Sequence, residues 1–351
     1  MTKIITVTGI SGSGSRGFCK NYSYNQKSLG GNRVDKFHTG DMIYELAQYY
    51  PKLPPIPKEN ILNLHPDILA SLRDEAFKTI ISNLEDISEP ASRVLIDTHA
   101  TFFWNNVYTN ACDWKFLNQI STDLFITIID KPSSIKENQE KSETGKSQNH
   151  DLRDLLLWQN IEVNVTQGWA SNYGKPMYVF SGKQNPQVID SLLYNSFLIY
   201  SSFPMTDAGG PATQKINEFK ARLRALGKEI NGLETPLIDP ADIDVEGEEG
   251  LPAKIKDTIY TQTVHRDLNW DVAQSTHVVA YYPDEKTNLS KGVSDECTRA
   301  METGKFVYVI CPRKRISPFM EIAHQVFRDE EQFFTFFKKH MEDKLGNYKR
   351  K

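Results

Sequence analysis

Ser290–Lys305 reads SKGVSDECTRAMETGK and follows the run HVVAYYPDE that starts at His277. The run is short, β-branched and aromatic, and the residues after Gly292 have helical spacing, so a strand, a turn and a helix are predicted in that order. Glycine at 292 is expected to permit the turn that Cβ-bearing residues resist, and Asp295 and Glu296 are expected in the first helical turn. A strand that delivers such a helix brings these carboxylates to the carboxyl edge of a sheet, where open α/β proteins bind ligands. Carboxylates at a helix start also complement the helix dipole, so a structural and a functional reading stand side by side here.

Outward from this stretch, strand and helix signals alternate in both directions. KIITVTG, Lys3 to Gly9, feeds the glycine-rich GISGSGSRG and then a helical segment. Glycines let backbone N–H groups converge at a helix amino terminus, which is a phosphate cradle. Against G-x-x-x-x-G-K-[ST], Gly9 and Gly14 fit, Gly12 lies between them, Ser15 stands where lysine belongs, and Arg16 stands where the magnesium-binding hydroxyl belongs. The loop shape survives with altered chemistry, or the segment is simply a tight turn. Arg16 and Lys20 are the cations at hand. RVLIDTHATFFW from Arg93 and DLFITIID from Asp123 are further strand candidates, and a new strand, SFLIYSSFP, opens at Ser196. This alternation predicts α/β architecture: two three-layer domains with mainly parallel sheets, residues 1–192 and 193–351.

The chain has 351 residues, 39% apolar and 25% charged, with net charge −4 and pI about 6.1. That length exceeds what one core usually serves, and that charge predicts small-molecule partners rather than nucleic acid or a membrane surface. Cys19, Cys112, Cys297 and Cys311 show no metal-like spacing and read as reduced thiols of a cytoplasmic protein. The first residues enter a strand without a leader pattern, and no apolar run is long enough to span a membrane. Residues 133–150 are polar and read as a flexible loop. The Phe333–Phe337 run is too apolar to face water and is expected to pack on the first domain or on a second copy in a homo-oligomer. The basic cluster Arg313, Lys314 and Arg315 is either an exposed patch or a phosphate contact.

RDLNWDVAQSTHVVAYYP, the Gly292 to Glu296 spacing and GKFVYVICP together resemble the nucleoside 2-deoxyribosyltransferase and nucleotide N-glycosidase superfamily. The resemblance implies a nucleophilic glutamate at Glu296, supported by Asp267, with Tyr200, Ser201, Ser202, Tyr282 and Gly292 around the substrate. It implies cleavage or transfer of an N-glycosidic bond without a cofactor. Residue by residue, Tyr200 and Tyr282 also suit a plain core, and Arg266 with Asp267 a helix salt bridge.

Residues 1 to about 190 resemble archaeal-type adenylate kinases in VTGISGSGS, GDMIYELA, IDTHA and the segment from Ile161. That resemblance implies nucleotide binding by Gly9, Gly12, Gly14, Ser15, Arg16, Asp97 and His99, with Thr98 facing the nucleotide, and ATP with magnesium near Ser15 and Asp97. Departures from the kinase pattern are the missing loop lysine and a lid segment with a single arginine, Arg153. Arginine clamps phosphate bidentately and lysine does not, so the half is expected to bind nucleotide with little transfer. The alternatives are a working nucleoside monophosphate kinase beside a binding-only second half, or a nucleotide sensor in which neither half turns over.

Overall fold

The computed structural model describes residues 2–50, 56–87, 92–194, 197–205, 211–243, 253–314, 316 and 323–346. The chain is α/β and divides into two compact units, Met1–Pro186 with Val245–Ile259, and Gln187–Asp244 with Tyr260–Lys351.

In the first unit the strands are β1 (Lys3–Thr8), β2 (Val34–His38), β3 (Arg93–Thr98), β4 (Thr101–Trp104), β5 (Val107–Asn110), β6 (Leu124–Ile129) and β7 (Met177–Ser181). Five form a parallel sheet in the order β2-β3-β1-β6-β7, while β4 and β5 form a separate antiparallel hairpin. LFITII in β6 is buried at every position, as expected of a parallel strand covered on both faces. The hairpin turns through Asn105 and Asn106, both at positive φ, the backbone that matches strand twist in a two-residue turn.

The Leu152–Tyr173 helix opens on a capping box between Asp151 and Asp154 and stops at Gly174, whose left-handed φ of 59° ends it. On its buried face Glu162 accepts from the N–H of Gly9 at 3.1 Å, Ala100 at 2.7 Å and Thr101 at 2.8 Å, and from the Thr101 hydroxyl at 2.9 Å. One carboxylate thereby ties the ends of β1 and β3 to the helix; burial pushes its pKa up, and the donors oppose that.

Residues 133–150 correct the expectation of a flexible loop, since they lie in the helices Pro132–Glu140 and Glu143–Gln148 and the turns beside them. Their order comes from tertiary bonds that composition does not display: Gln139 Nε2 donates to the Ser11 carbonyl at 2.7 Å, and Asn138 Nδ2 to that of Gly12 at 3.0 Å.

In the second unit β8 (Ile199–Ser202), β9 (Leu237–Ile238), β10 (His277–Tyr281), β11 (Phe306–Ile310) and β12 (Gln325–Phe327) form a parallel sheet ordered β12-β11-β10-β8-β9. The Glu330–Gly346 helix corrects a second expectation: Phe333, Phe334, Phe337 and Met341 are buried in this unit's own core with Phe219, Tyr281 and Tyr308. Phe219 and Tyr281 stack at a ring separation of 4.1 Å beneath it. A helix with that many phenylalanines therefore closes its own sheet, which removes the apolar area a partner would have covered.

The four cysteines are free and buried. Among the described residues no helix is long and apolar enough to cross a membrane. Residues 206–210, the acidic run 244–250 and Arg315 lie outside the described residues.

Candidate functional site

From β8 the chain moves to β9 on one side, and then to β10, β11 and β12 on the other, so β8 and β10 flank the point where strand order reverses. Ligand crevices of open α/β sheets open there, at the carboxyl ends of the strands. Side chains two apart on a strand share a face, which brings Tyr200 and Ser202 of β8 together. Both donate to Glu296, the Tyr200 hydroxyl to Oε1 at 2.9 Å and the Ser202 hydroxyl to Oε2. Ser201, one residue out of phase, falls on the opposite face; its Oγ is buried without a hydrogen-bond partner among the described residues. That removes Ser201 from the wall around Glu296.

The turn ahead of Glu296 differs from the expected one. The helix is Lys291–Glu302 with Ser290 as N-cap, so Gly292 is already helical and Glu296 sits in the second turn, away from the helix terminus. A Cβ at Gly292 would meet open space apart from Ser290 Oγ at 3.6 Å, so no backbone demand fixes glycine there. The reversal is made earlier, by Asp284, whose Oδ1 accepts from the Lys286 and Thr287 N–H groups at 2.9 and 2.8 Å and from the Thr287 hydroxyl at 2.9 Å. An acid–x–x–Thr run after a strand is the legible signal for such a side-chain turn. Asp295 faces outward and pairs with Lys291 at 2.6 Å.

Behind Glu296 the Ala253–Arg266 helix passes into a π-helical turn, Asp267–Asp271, a distortion that recurs at functional sites. Arg266, Asp267 and Asp271 are all buried. The guanidinium donates to Asp267 Oδ1 through Nε at 2.9 Å and Nη2 at 2.7 Å, and to the Ile243 carbonyl through Nη1 at 2.8 Å. Arg266 Nε lies 3.5 Å from Asp271 Oδ2. Burial pushes the Glu296 carboxyl up to about 7; the Ser202 and Tyr200 hydroxyls and the Arg266 charge oppose it, and the Asp267 charge adds to it. Burial raises Asp267 as well and carries Asp271 to about 8, where the charges of Asp267 and Glu296 add to the effect. Tyr200 is pushed well up by burial and by these carboxylates, and so stays a neutral donor. Tyr282, just past β10, is fully buried; burial raises its hydroxyl, and the Ser290 backbone beside it opposes that.

In the first unit a cavity of about 530 Å3 is lined by Gly12, Gly14, Ser15, Arg16, Asp97, Thr98 and His99 among others. Gly9 is not on its wall, and shapes the loop instead: a Cβ there would lie 2.5 Å from Ser13 Oγ and 2.8 Å from the Ile128 carbonyl. Gly12 and Gly14 take left-handed φ of 91° and 95°, and the Ser15–Ser28 helix starts straight after them. Arg16 and Lys58 both reach Asp41, Lys58 at 3.2 Å, and both line the cavity, whereas Lys20 is exposed and outside it. Burial works to raise Asp41, but the Lys58 hydrogen bond and the two cations outweigh it and hold the carboxyl low. His38 Nδ1 meets Asp97 Oδ2 at 2.8 Å, a contact the sequence did not signal because the two residues face each other only through the β2–β3 register. His99 packs between Phe102 and Trp158, with ring separations of 5.5 and 6.2 Å. Ser15 and Asp97 supply a hydroxyl and a carboxylate, donor types that magnesium accepts alongside phosphate oxygens. Loop N–H groups, two cations and aromatic walls together suit a small molecule with an anionic group and a planar ring. No family model matches the chain, and no curated protein does.

Proposed function

We propose that the second unit cleaves or transfers the N-glycosidic bond of a nucleoside or nucleotide, with Glu296 as nucleophile. The observation that carries this reading is a carboxylate beside the point of strand reversal, gripped by Tyr200 and Ser202 and backed by the buried Arg266, Asp267 and Asp271. Breaking a glycosidic bond builds positive charge at the anomeric carbon, and a carboxylate beneath it captures that carbon as a glycosyl ester. Tyr200 and Ser202, each bonded to one carboxylate oxygen, fix the orientation of Glu296, so attack on the sugar needs no rotamer search. Asp267, locked by Arg266, supports the site electrostatically. Water as acceptor gives hydrolysis, and a second base gives transfer.

The first unit, on this reading, binds a nucleotide in its cavity and transfers phosphate poorly. Ser15 leaves the loop without its lysine, and Arg16 and Lys58 are both engaged by Asp41. Magnesium held by Ser15 and Asp97 would neutralise phosphate charge of that ligand. The decisive experiment incubates the purified protein with a panel of nucleosides, nucleotides and NAD and resolves free base by chromatography. Base release that disappears in Glu296→Gln supports the reading; no release from any member of the panel would reject it.

A further inference from the structure

The cavity of the first unit is lined by as many acids as cations. Histidines aside, its wall among the described residues holds Arg16 and Lys58 against Asp41 and Asp97. Both cations go to the same carboxylate. Arg16 lays its fork on Asp41, with Nη1 at 3.2 Å from Oδ1 and Nη2 on Oδ2, and Lys58 Nζ donates to Oδ1 at 3.2 Å. Carboxylate and phosphate offer an arginine fork the same pair of oxygens, so Asp41 already fills the grip that phosphate oxygens would take. The three residues come from separate elements, the helices Ser15–Ser28 and Thr39–Gln48 and the Lys58–Asn63 turn, and Asp41 ties those elements together beside the glycine loop. The rest of the wall is largely apolar and aromatic, with Ile43, Tyr44, Ile61, Leu62, Phe102 and Trp158 on it.

Resting on the reading of this cavity as a nucleotide site, we propose that Asp41 is a built-in competitor for the ligand's phosphate, so that the first unit selects its ligand by base and sugar and holds nucleoside and nucleotide with similar strength. A phosphate entering the cavity has two courses. It can leave the cations on Asp41 and gain little from them. Or it can take them, and then the new charge-assisted bonds only replace those already made to the carboxylate, while the freed Asp41 charge stays nearby and repels the phosphate. Either course cancels most of what two cations would otherwise add. An aromatic ring is not affected by this exchange, because its stacking and burial against the apolar wall involve neither cation. Asp41 is therefore a specificity residue: it lowers the contribution of phosphate and leaves that of the base.

Calorimetric titration of the full chain with AMP and adenosine, and with GMP and guanosine, tests this in EDTA, so that no magnesium lends positive charge. Every protein carries Glu296→Gln so that no ligand is consumed, and the binding that Gly12→Ala weakens identifies the first unit. Nucleotide and nucleoside are expected to bind there within about threefold of each other, and Asp41→Asn is expected to tighten the nucleotide about tenfold while leaving the nucleoside unchanged. Adding Lys58→Gln to Asp41→Asn should remove that gain. A nucleotide bound more than about tenfold tighter than its nucleoside by the chain that keeps Asp41 would overturn the proposal, a result that can be read even if Asp41→Asn folds poorly. So would an Asp41→Asn chain that binds the nucleotide equally or more weakly, the outcome if the carboxylate holds the two cations in position for phosphate. Binding of none of the four ligands to the first unit instead rejects the nucleotide-site reading on which the proposal rests.

Discussion

Glu296 combines two hydroxyl donors with a burial cost large enough to move its titration to about 7 from an ordinary 4.5. Glu296→Gln keeps size and position but removes charge at the reacting carbon, so base release should fall at least about a hundredfold, roughly 3 kcal/mol in the barrier. Activity should climb as pH rises through about 7, because the anion is the nucleophile. The stability effect has the opposite sense. A carboxyl whose folded value exceeds its unfolded one favours folding fully below the unfolded value and loses that contribution as pH rises through the folded one. Glu296→Gln should therefore melt with wild type at pH 4 and at or above it at pH 8, which calorimetry at the two pH values would decide. A variant that melted several degrees lower at pH 8 with its rate intact would make Glu296 a structural residue. Asp295→Asn should change the rate little, since Asp295 is half-exposed and bound to Lys291 on the helix surface.

Elements respond to substitution according to where their backbone is committed. Gly292 lies inside a helix with open space around it, so Gly292→Ala should stabilise the protein by up to about 1 kcal/mol and leave base release unchanged. Gly12 has a left-handed φ of 91°, and a Cβ there would come within 2.8 Å of the Ile135 carbonyl. Gly12→Ala should accordingly distort the loop, and ligand binding to the first unit, followed by calorimetric titration with a nucleotide, should weaken markedly. In the Glu330–Gly346 helix, Phe337 is wholly buried against Phe197, Tyr308 and Phe333, so Phe337→Ala should destabilise by about 3–5 kcal/mol in denaturant unfolding. A small loss there would return the helix to the interface role its composition suggested.

The whole molecule joins two α/β units whose sites call for different assays. With Ser15 in the loop and both nearby cations held by Asp41, transfer from ATP to AMP should run well below the usual kinase range of about 1 to 100 per second. A coupled assay within that range would mean that Arg16 or Lys58 leaves Asp41 for the ligand.

The α/β class and the positions of β1, β8 and β10 were legible along the chain because buried parallel strands are near-continuous apolar runs punctuated by polar turns. So was the glycine loop, whose signal is local, glycines directly before a helix, whereas the Gly292 to Glu296 spacing lies inside a helix rather than making the turn expected there. Three features were not. Residues 133–150 look polar and loose, and only the Ser11 and Gly12 carbonyls that receive Gln139 and Asn138 give them order. The grip on Glu296 joins residues 96 and 94 positions apart, and which β8 residues reach it depends on strand phase, which admits Tyr200 and Ser202 and turns Ser201 away. Asp271 has the same acidic letter as many surface residues. Its raised pKa comes from burial, with the charges of Asp267 and Glu296 adding to it, and burial and long-range charge arise only when the chain closes on itself.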